Sequence, residues 1–394
     1  MMYLVGIDCA KNKHDCCILD DTMQSIIKSF SFQNNRDGFD YLLNVLKALK
    51  PTADKIKIGF EATGHYTTNL KLFLEENDFD YMEFNPIKVH KFIQSVSVRK
   101  TKTDKADSKH IAMYLSSVEY KPYPIKFYHI YALRSLTRTR EFLIHEKSKI
   151  ITQITNVMDH IFPELKAMLN NDFTSKTALY LLEHYGSAEK IKNTNVESYN
   201  KMKSELRHTI NYSKFSQIRE VAKTSIGNSN EFLLLELRLY LDMYHNLENK
   251  VSIIEREILN SAILNNYITP RLKGIGQLSG AAIIAEIGNF SNFNTSQQLL
   301  AFAGIDPGIK QSGDSIHSKG KMVKHGSAHL RMHIMNCAKT FMLYNPAINE
   351  YYWKKKHEGK HEYVALSHVA RKLVTIIFTL ETNHNKSYDI NKIR

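Results

Sequence analysis

The sequence predicts an α/β domain at the N-terminus, an all-α coiled-coil region in the middle and a mainly α-helical domain at the C-terminus. Short aliphatic and aromatic runs alternate with helical spacing in the first third of the chain. Two long stretches in the middle carry apolar residues on a 3,4 repeat, and glycine-rich turns separate helical stretches after residue 270. We expect domains at residues 1–122, 123–265 and 266–394.

In the first of these domains, three predicted strands precede the first predicted helix. Residues 3–7, 16–19 and 26–32 are predicted strands because aliphatic and aromatic residues dominate them. The elements predicted after them are a helix (37–49), a strand (56–60), a helix (65–76), a strand (81–84), a helix opened by Pro86 and a helix at 104–115. This order is that of an RNase H-like fold, a mixed sheet flanked by helices.

The middle region contains two apolar repeats of coiled-coil type. The first covers residues 133–161, is interrupted only at Arg140 and Lys147, and ends at Pro163; the second covers residues 237–258. The two stretches are long enough to pair with each other or with another subunit, and ordinary core packing explains them equally well. Residues 166–230 between them are polar and predicted helical, and we assign no chemistry to them.

The composition favours a polyanionic partner and argues against export. Among 394 residues, Lys and Arg number 53 and Asp and Glu 40, a net charge of +13, which favours nucleic acid or an anionic membrane surface. The longest apolar runs, such as residues 373–380, are shorter than the ~20 residues of a membrane span. An acid at residue 8 interrupts any signal peptide, and the four cysteines lack CxxC spacing. We therefore expect a cytoplasmic protein without structural zinc or disulfides.

Four acidic residues form the most informative pattern. Asp8 follows the first predicted strand and Glu61 ends the fourth, so in a parallel pair they would be neighbours at one sheet edge. Asp104 and Asp107 share one face of a predicted helix. Four converging carboxylates need cations, and two Mg²⁺ ions ~4 Å apart suit phosphodiester chemistry. Each acid taken alone is also a common turn or helix-cap residue.

Basic residues and glycines supply candidate nucleic-acid contacts. Near two of the acids stand Arg99, Lys100, Lys102, Lys105 and Lys109, which suit phosphate contacts or a solvated helix face. Gly274 and Gly276 form a Gly-x-Gly turn between predicted helices. Such a turn suits a helix-hairpin-helix contact with a DNA backbone, or simple tight packing.

The C-terminal domain also contains serines in a glycine-rich loop. The candidates for a nucleophile are Ser312, Ser315, Ser318 and Ser327. Lys321, Lys324 and Arg331 lie nearby in the sequence and could bind the phosphate that such a serine attacks. The residues alone do not select one serine. The aromatic and basic run at 351–356 suits nucleic-acid stacking or an ordinary helix end.

The motifs in combination resemble one family. Gly6-Ile-Asp-Cys-Ala-Lys11, Glu61-Ala-Thr-Gly64, Lys102-Thr-Asp-Lys-Ala-Asp107, Gly274-Ile-Gly276, Ala303-Gly-Ile-Asp-Pro307, Gln311-Ser-Gly313 and Gly326-Ser-Ala-His-Leu-Arg331 follow one another along almost the whole chain. Their order resembles that of the DEDD transposases of the insertion-sequence 110 family, also called bridge-RNA-guided recombinases. Cys9 departs from the small aliphatic residue that many relatives have after the first acid.

This resemblance implies a fold and a mechanism. It implies a RuvC-like domain in which Asp8, Glu61, Asp104 and Asp107 hold Mg²⁺. It further implies a coiled-coil dimerisation region and a C-terminal transposase domain whose serine forms a covalent phosphoserine link with DNA. The resemblance also implies a site composed from two subunits of a tetramer, and a noncoding bridge RNA that selects donor and target DNA. By motif position the nucleophile is Ser312, with Ser315 as the alternative.

Three other functions compete with this interpretation. A RuvC-like nuclease or Holliday-junction resolvase would use the same four acids with water as the nucleophile. An actin-like sugar kinase or ATPase can open on a similar Gly-Ile-Asp, but it needs further glycine-rich phosphate loops, and the coiled-coil repeats occupy that part of the chain. A catalytically inactive nucleic-acid-binding protein would not need the intact acid set.

Overall fold

The structure, a computed structural model, describes residues 2–52, 55–96, 104–120, 122, 127–228, 230–306, 311–312, 315–316, 322, 324 and 326–383. The chain divides into two compact units. The first consists of Met1–Arg134 and Ala262–Arg394, and the second of Ser135–Ser261. The boundaries expected near residues 122 and 265 stay a prediction.

The N-terminal part of the first unit is a five-stranded mixed sheet with helices on both faces. Its elements are β1 (Met2–Cys9), β2 (Lys13–Leu19), β3 (Ser25–Gln33), α1 (Arg36–Leu49), β4 (Lys55–Glu61), α2 (Thr68–Glu76), β5 (Tyr81–Phe84), α3 (Pro86–Val96) and α4 (Asp104–Ser117), with a 3-10 turn at Lys50–Thr52. The strand order is β3-β2-β1-β4-β5. Strand β1 is antiparallel to β2 and parallel to β4, and β4 is parallel to β5. The predicted mixed sheet and its order of elements are confirmed.

Side-chain alternation along β1 divides the core between the two faces of the sheet. Tyr3, Val5 and Ile7 pack with α1 and α2, whereas Leu4 packs with the apolar side of α4. Successive residues of a strand point to opposite faces, so the even-numbered residues of β1 face α4. Asp8 is the last of these, and the register therefore places its side chain on the α4 face.

The second unit is entirely helical in its described part. Its elements are the bulk of α5 (Phe127–Ile161), then α6 (Leu165–Met168), α7 (Lys176–His184), α8 (Ala188–Lys192), α9 (Val196–Glu205), α10 (Tyr212–Lys223) and α11 (Glu231–Leu259). Ile154, Val157 and Ile161 of α5 share one core with Leu237 and Tyr244 of α11 and with the shorter helices. The polar stretch at 166–230 is helical, as predicted.

The two long helices of this unit pair with each other in antiparallel orientation. Arg140 Nη2 lies 2.6 Å from the Glu255 carboxylate, and Lys147 Nζ lies 3.7 Å from that of Glu248. From the first ion pair to the second, the residue number rises by seven on α5 and falls by seven on α11, so the two helices run antiparallel. The charged residues that interrupt the first apolar repeat are therefore the ones that bind α11.

Reversing one charge of this pairing should weaken the unit. Arg140→Glu places a second carboxylate opposite that of Glu255. We expect this to lower the free energy of unfolding by about 1 kcal/mol, a modest loss because the pair is only partly buried. Urea unfolding followed by circular dichroism measures the loss. The double variant Arg140→Glu/Glu255→Arg should recover most of it. A double variant as unstable as the single one would contradict the pairing.

The C-terminal part of the first unit is a helical cluster around α16. Its elements are α12 (Gln277–Ile287), α13 (Ser296–Ala303), β6 (Gln311–Ser312), β7 (Ser315–Ile316), α14 (Ala328–Tyr344), α15 (Pro346–His357) and α16 (Glu362–Thr382), with 3-10 turns at Ala262–Asn266, Thr269–Arg271 and Phe290–Asn292. By length and composition α16 alone among the described helices could cross a membrane, but 56% of its apolar window is buried within the protein. It is the central core helix of this cluster.

The turn before α12 differs from the predicted hairpin of two helices. The described residues before it form short 3-10 turns; Pro270 lies in the first turn of Thr269–Arg271, and the extended backbone of Leu272 ends that turn. Helix α12 itself begins at Gln277 with Gly276 as its N-cap. The segment before the turn is thus shorter than the predicted helix, and a helix-hairpin-helix contact with DNA stays a prediction.

Candidate active site

Asp8 and Glu61 lie side by side at the carboxyl ends of β1 and β4. The parallel register pairs Gly6 with Gly59 and Ile7 with Phe60, and one further residue brings Asp8 beside Glu61. A Cβ built on Gly59 would meet Leu115 of α4, so Gly59 and, two residues on, Glu61 also face that helix. Both acids are half-buried. The structure thus brings together these two predicted site residues on one face of the sheet.

Helix α4 lies directly on this face because Gly6 has no side chain. A Cβ on Gly6 would be 2.3 Å from both Ser108 O and Ala112 N, closer than any real contact. At the far end, the hydroxyl of Tyr120, three residues beyond α4, donates to Asp80 O (2.9 Å), just before β5 begins. The helix therefore runs opposite to β1, and its first turn is directed toward the end of the sheet where Asp8 stands.

That first turn contains the other two predicted acids. Asp107 is half-buried and precedes Ser108, which is fully buried against the sheet. Asp104 begins the helix, and its side chain lies outside the described residues. Within the described ranges, no group of three or more His, Cys, Asp or Glu side chains is close enough to hold a metal ion. The described donors are nevertheless carboxylate oxygens, the ligands that Mg²⁺ prefers.

Cys9, the residue after the first acid, points to the opposite face and stays a thiol. It is 2% exposed and belongs to the core with α1 and α2. Burial, followed by the charge of Asp8, raises the pKa of this thiol well above its ordinary value; Glu83 and Glu61 add to the rise and Lys71 opposes it. A protonated thiol on the opposite face of the sheet does not compete with the carboxylates of Asp8 and Glu61 for a cation.

A buried ion pair that the sequence did not reveal lies beneath this end of the sheet. Lys71 of α2 is 3% exposed, and its Nζ is 2.5 Å from the Glu83 carboxylate of β5. Burial lowers the pKa of Lys71, and the charge of Glu83 opposes that change. Its one sequence signal is that Lys71 falls between Leu70 and Leu74 on the apolar side of α2. Lys71 Nζ lies 5.9 Å from the centroid of the Phe60 ring, on the α2 face of the sheet and not on the face of Asp8 and Glu61.

A further acid, Asp15, stands directly opposite Asp8 on β2. It is 3% exposed, and its carboxylate accepts a hydrogen bond from Ser31 (2.5 Å) and lies 3.2 Å from Lys13 Nζ. Directly opposed residues of an antiparallel pair share a face. Asp15 is therefore a neighbour of Asp8 whose own charge is already matched.

The predicted phosphate contacts are only partly described. Arg99, Lys100, Lys102 and Lys321 lie outside the described residues, as does the side chain of Lys105. Lys109 and Lys324 are exposed. Arg331 instead donates to two carbonyls of its own chain, Ala303 O at 3.3 Å and Lys324 O at 3.4 Å.

The two glycines before α12 have different surroundings. Thr340 Oγ1 donates to Gly274 O (2.7 Å), and a Cβ at Gly274 would lie 2.8 Å from the backbone of Phe341. With φ of 94°, Gly274 packs tightly against α14. Gly276 is exposed, with open space around it at the start of α12. Only Gly276 is placed as an accessible phosphate contact requires.

The serine candidates lie on a two-stranded hairpin and at a helix start. Ser312 in β6 is paired with Ser315 in β7, and the side chains of both lie outside the described residues. Ser318 is not among the described residues. Ser327 is the N-cap of α14, its hydroxyl accepting from Leu330 N at 3.1 Å. Ser327 is therefore engaged in capping, whereas Ser312, Ser315 and Ser318 stay candidates.

Comparisons with known proteins identify the family. A family described as "Transposase", of the DEDD type of insertion sequence 110, matches residues 5–163, and the "Transposase IS116/IS110/IS902 family" matches residues 268–353. This chain belongs to the insertion-sequence 110 family of transposases. The chain is 24% identical to the pilin gene-inverting protein of Moraxella lacunata over 98% of this chain and 97% of the relative. It is 22% identical to the mini-circle putative transposase for IS117 of Streptomyces coelicolor, over 94% and 91% of the two chains.

These relatives make the chain a DNA transposase or recombinase, as the sequence predicted. A solved structure titled as T. thermophilus RuvC in complex with Holliday junction substrate matches over 31% of this chain and 100% of that chain, with 11% identity and a TM-score of 0.24. In this transposase the first family match includes most of the sheet and its four acids, and the second runs from the turn before α12 into α15.

Proposed function

We propose that this transposase cuts and rejoins DNA through a covalent phosphoserine intermediate, at a divalent-metal site formed by Asp8, Glu61, Asp104 and Asp107. The observation that carries the proposal is the placement of Asp8 beside Glu61, under the first turn of α4. Two half-buried carboxylates on adjacent paired strands repel one another, and a divalent cation would offset that repulsion. Carboxylate oxygens suit Mg²⁺, and the metal, when bound, polarises the scissile phosphate.

The protein's own part in the reaction is to hold the acids and deliver a hydroxyl. The sheet and α4 fix the backbone positions of three of the acids. Asp8 and Glu61 lie on directly paired strands, and Asp107 lies on the helix that packs against Gly6. In the proposed step the hydroxyl oxygen of Ser312 attacks phosphorus and loses its proton, and the DNA oxygen leaves as a hydroxyl. The reverse attack by a second DNA end releases the serine, so one phosphodiester replaces another without ATP.

Nucleic acid is the expected partner on grounds of charge. The net charge of +13 favours a polyanion, and exposed Lys109, Lys324 and Gly276 provide candidate backbone contacts. We propose that a bridge RNA selects the DNA by base pairing, so that the protein needs to bind only backbone. We further propose a dimer that assembles into a tetramer on DNA.

Substitution of the serine tests the mechanism. Ser312→Ala is expected to abolish the covalent protein–DNA complex that survives denaturation, and with it recombination. Ser315→Ala, its partner across the hairpin, is the matched control and should keep both. The measurement is gel electrophoresis of labelled DNA after denaturing the protein, with and without Mg²⁺.

The same experiment decides between the proposal and its alternative. A RuvC-like nuclease or Holliday-junction resolvase using water would cut DNA equally well after Ser312→Ala and would form no covalent complex. If Ser315→Ala alone removes the complex, the nucleophile is Ser315. Cleavage by the wild-type protein in EDTA would contradict the metal site.

A further inference from the structure

Both ends of the segment that carries Ser312 are fastened to the same place. Ser327 N donates to Phe302 O (2.9 Å), and Arg331 bridges the carbonyls of Ala303 and Lys324. Gly326 has φ of 122°, and a Cβ there would lie 2.0 Å from Phe302 O. Only glycine permits this close return of the chain. The residues on either side of the segment thus form a closed base.

A buried carboxylate holds this base from below. Glu286, in the last turn of α12, is 3% exposed, and its Oε2 accepts a hydrogen bond from the Ser327 hydroxyl at 2.7 Å. The same hydroxyl accepts from Leu330 N and so caps α14. The base is anchored in turn from α5, where Arg134 Nε donates to Ala285 O (2.7 Å) in the same turn of α12.

Capping alone does not require this carboxylate. A serine hydroxyl caps a helix without any further partner, and burying a carboxylate costs free energy unless it makes strong hydrogen bonds. A charged acceptor fixes the rotamer of the hydroxyl more firmly than a neutral one does. The hydrogen bond to Glu286 therefore fixes the Ser327 hydroxyl where the chain closes onto Phe302.

We propose that Glu286 is a positioning residue: acting through Ser327, it fixes the base of the segment that carries Ser312 and so sets the rate of the covalent step. The inference rests on the proposed phosphoserine function. A nucleophile displaced by about 1 Å loses about 100-fold in rate. The base should thus control chemistry without touching DNA.

The test compares Glu286 with a second buried carboxylate of the same helical cluster. Glu381 of α16 is 5% exposed and accepts from Thr269 Oγ1 (2.5 Å), Thr269 N (2.7 Å) and Ile268 N (2.9 Å). It holds a turn before α12 and not the base of the serine segment. Glu286→Ala and Glu381→Ala therefore remove chemically matched groups from different places.

Three quantities are measured for each full-length variant: the single-turnover rate of covalent complex formation, DNA affinity by fluorescence anisotropy, and the thermal midpoint. We expect Glu286→Ala and the smaller change Ser327→Ala to slow the covalent step about 100-fold, with DNA affinity unchanged. Glu286→Gln and Ser327→Thr keep the hydrogen bond and should stay within about tenfold of wild type. Glu381→Ala should lower the thermal midpoint but leave the covalent rate, measured well below that midpoint, within about threefold of wild type.

Two results would overturn the inference. One is a covalent rate for Ser327→Ala and Glu286→Ala equal to that of the wild type. The other is an equal loss of rate in Glu381→Ala at an equal loss of stability, which would reduce Glu286 to a structural role. If the wild-type protein forms no covalent complex at all, the proposed function fails and this inference fails with it, an outcome distinct from both.

Discussion

Replacing Asp8 with asparagine is expected to reduce DNA cleavage and strand joining by about 1,000-fold or more. The change removes one of two adjacent carboxylates while keeping the shape of the side chain. A metal contributes several kcal/mol of charge stabilisation to phosphoryl transfer, and each 1.36 kcal/mol is tenfold in rate. Single-turnover cleavage at saturating Mg²⁺ measures the loss, and titration calorimetry with Mn²⁺ shows whether metal binding is lost with it.

Asp20→Asn is the matched control for this variant. Asp20 lies at the other end of the sheet, since Leu19 pairs with Leu4, and its carboxylate accepts from Thr22 Oγ1 (2.7 Å) and Gln24 N (2.9 Å). These hydrogen bonds lower its pKa, so the substitution costs a little stability and no activity. An Asp8→Asn protein that cleaves DNA at the wild-type rate would exclude Asp8 from the metal site.

The second large effect is expected from a residue without a side chain. Gly6→Ala should lower the free energy of unfolding by about 2–3 kcal/mol, because the new methyl group would overlap the backbone of α4 at Ser108 and Ala112. The helix must move away from the sheet, and its first turn, with Asp104 and Asp107, moves with it. Cleavage should fall about 100-fold. Chemical denaturation and single-turnover cleavage measure the two losses.

Gly59→Ala, on the neighbouring strand, is the graded comparison for Gly6→Ala. Its methyl group would meet the side chains of Phe84 and Leu115 at 2.7 and 2.8 Å. Side chains can rotate away, whereas helix backbone cannot, so we expect a loss of about 1 kcal/mol. Equal losses for the two variants would show that α4 does not rest on Gly6.

The sheet could be predicted from the sequence because its pattern is local. The strand expected at 81–84 is β5, and the other predicted strands fall within the observed bounds. The largest error is at β2, which begins at Lys13 and not at residue 16. Its first residues are polar, but His14 and Asp15 are buried, with Asp15 bonded to Ser31 of the adjacent strand. Tertiary pairing overrides polarity there, and a reading of single segments misses it.

The paired charges could not be predicted because each partner comes from a distant part of the chain. From the sequence alone, Lys71 is expected to be a solvated helix residue, because nothing shows that Glu83 lies beside it. The role of Glu286 is likewise not predictable without knowing that Ser327 contacts it. Arg140 and Lys147 appeared as interruptions of an apolar repeat, yet they carry the pairing with α11. The positions of Asp8 and Glu61 were predictable for the opposite reason, since parallel strands fix which ends are neighbours.

The antiparallel return of α11 along α5 has an evolutionary consequence. It brings the entry and the exit of the helical unit, near residues 135 and 261, to one end of that unit. A segment whose two ends are adjacent can be inserted into, or removed from, the rest of a protein without disturbing its fold. The unit can therefore lengthen, shorten or be exchanged among related elements at little cost, while Met1–Arg134 and Ala262–Arg394 keep their packing.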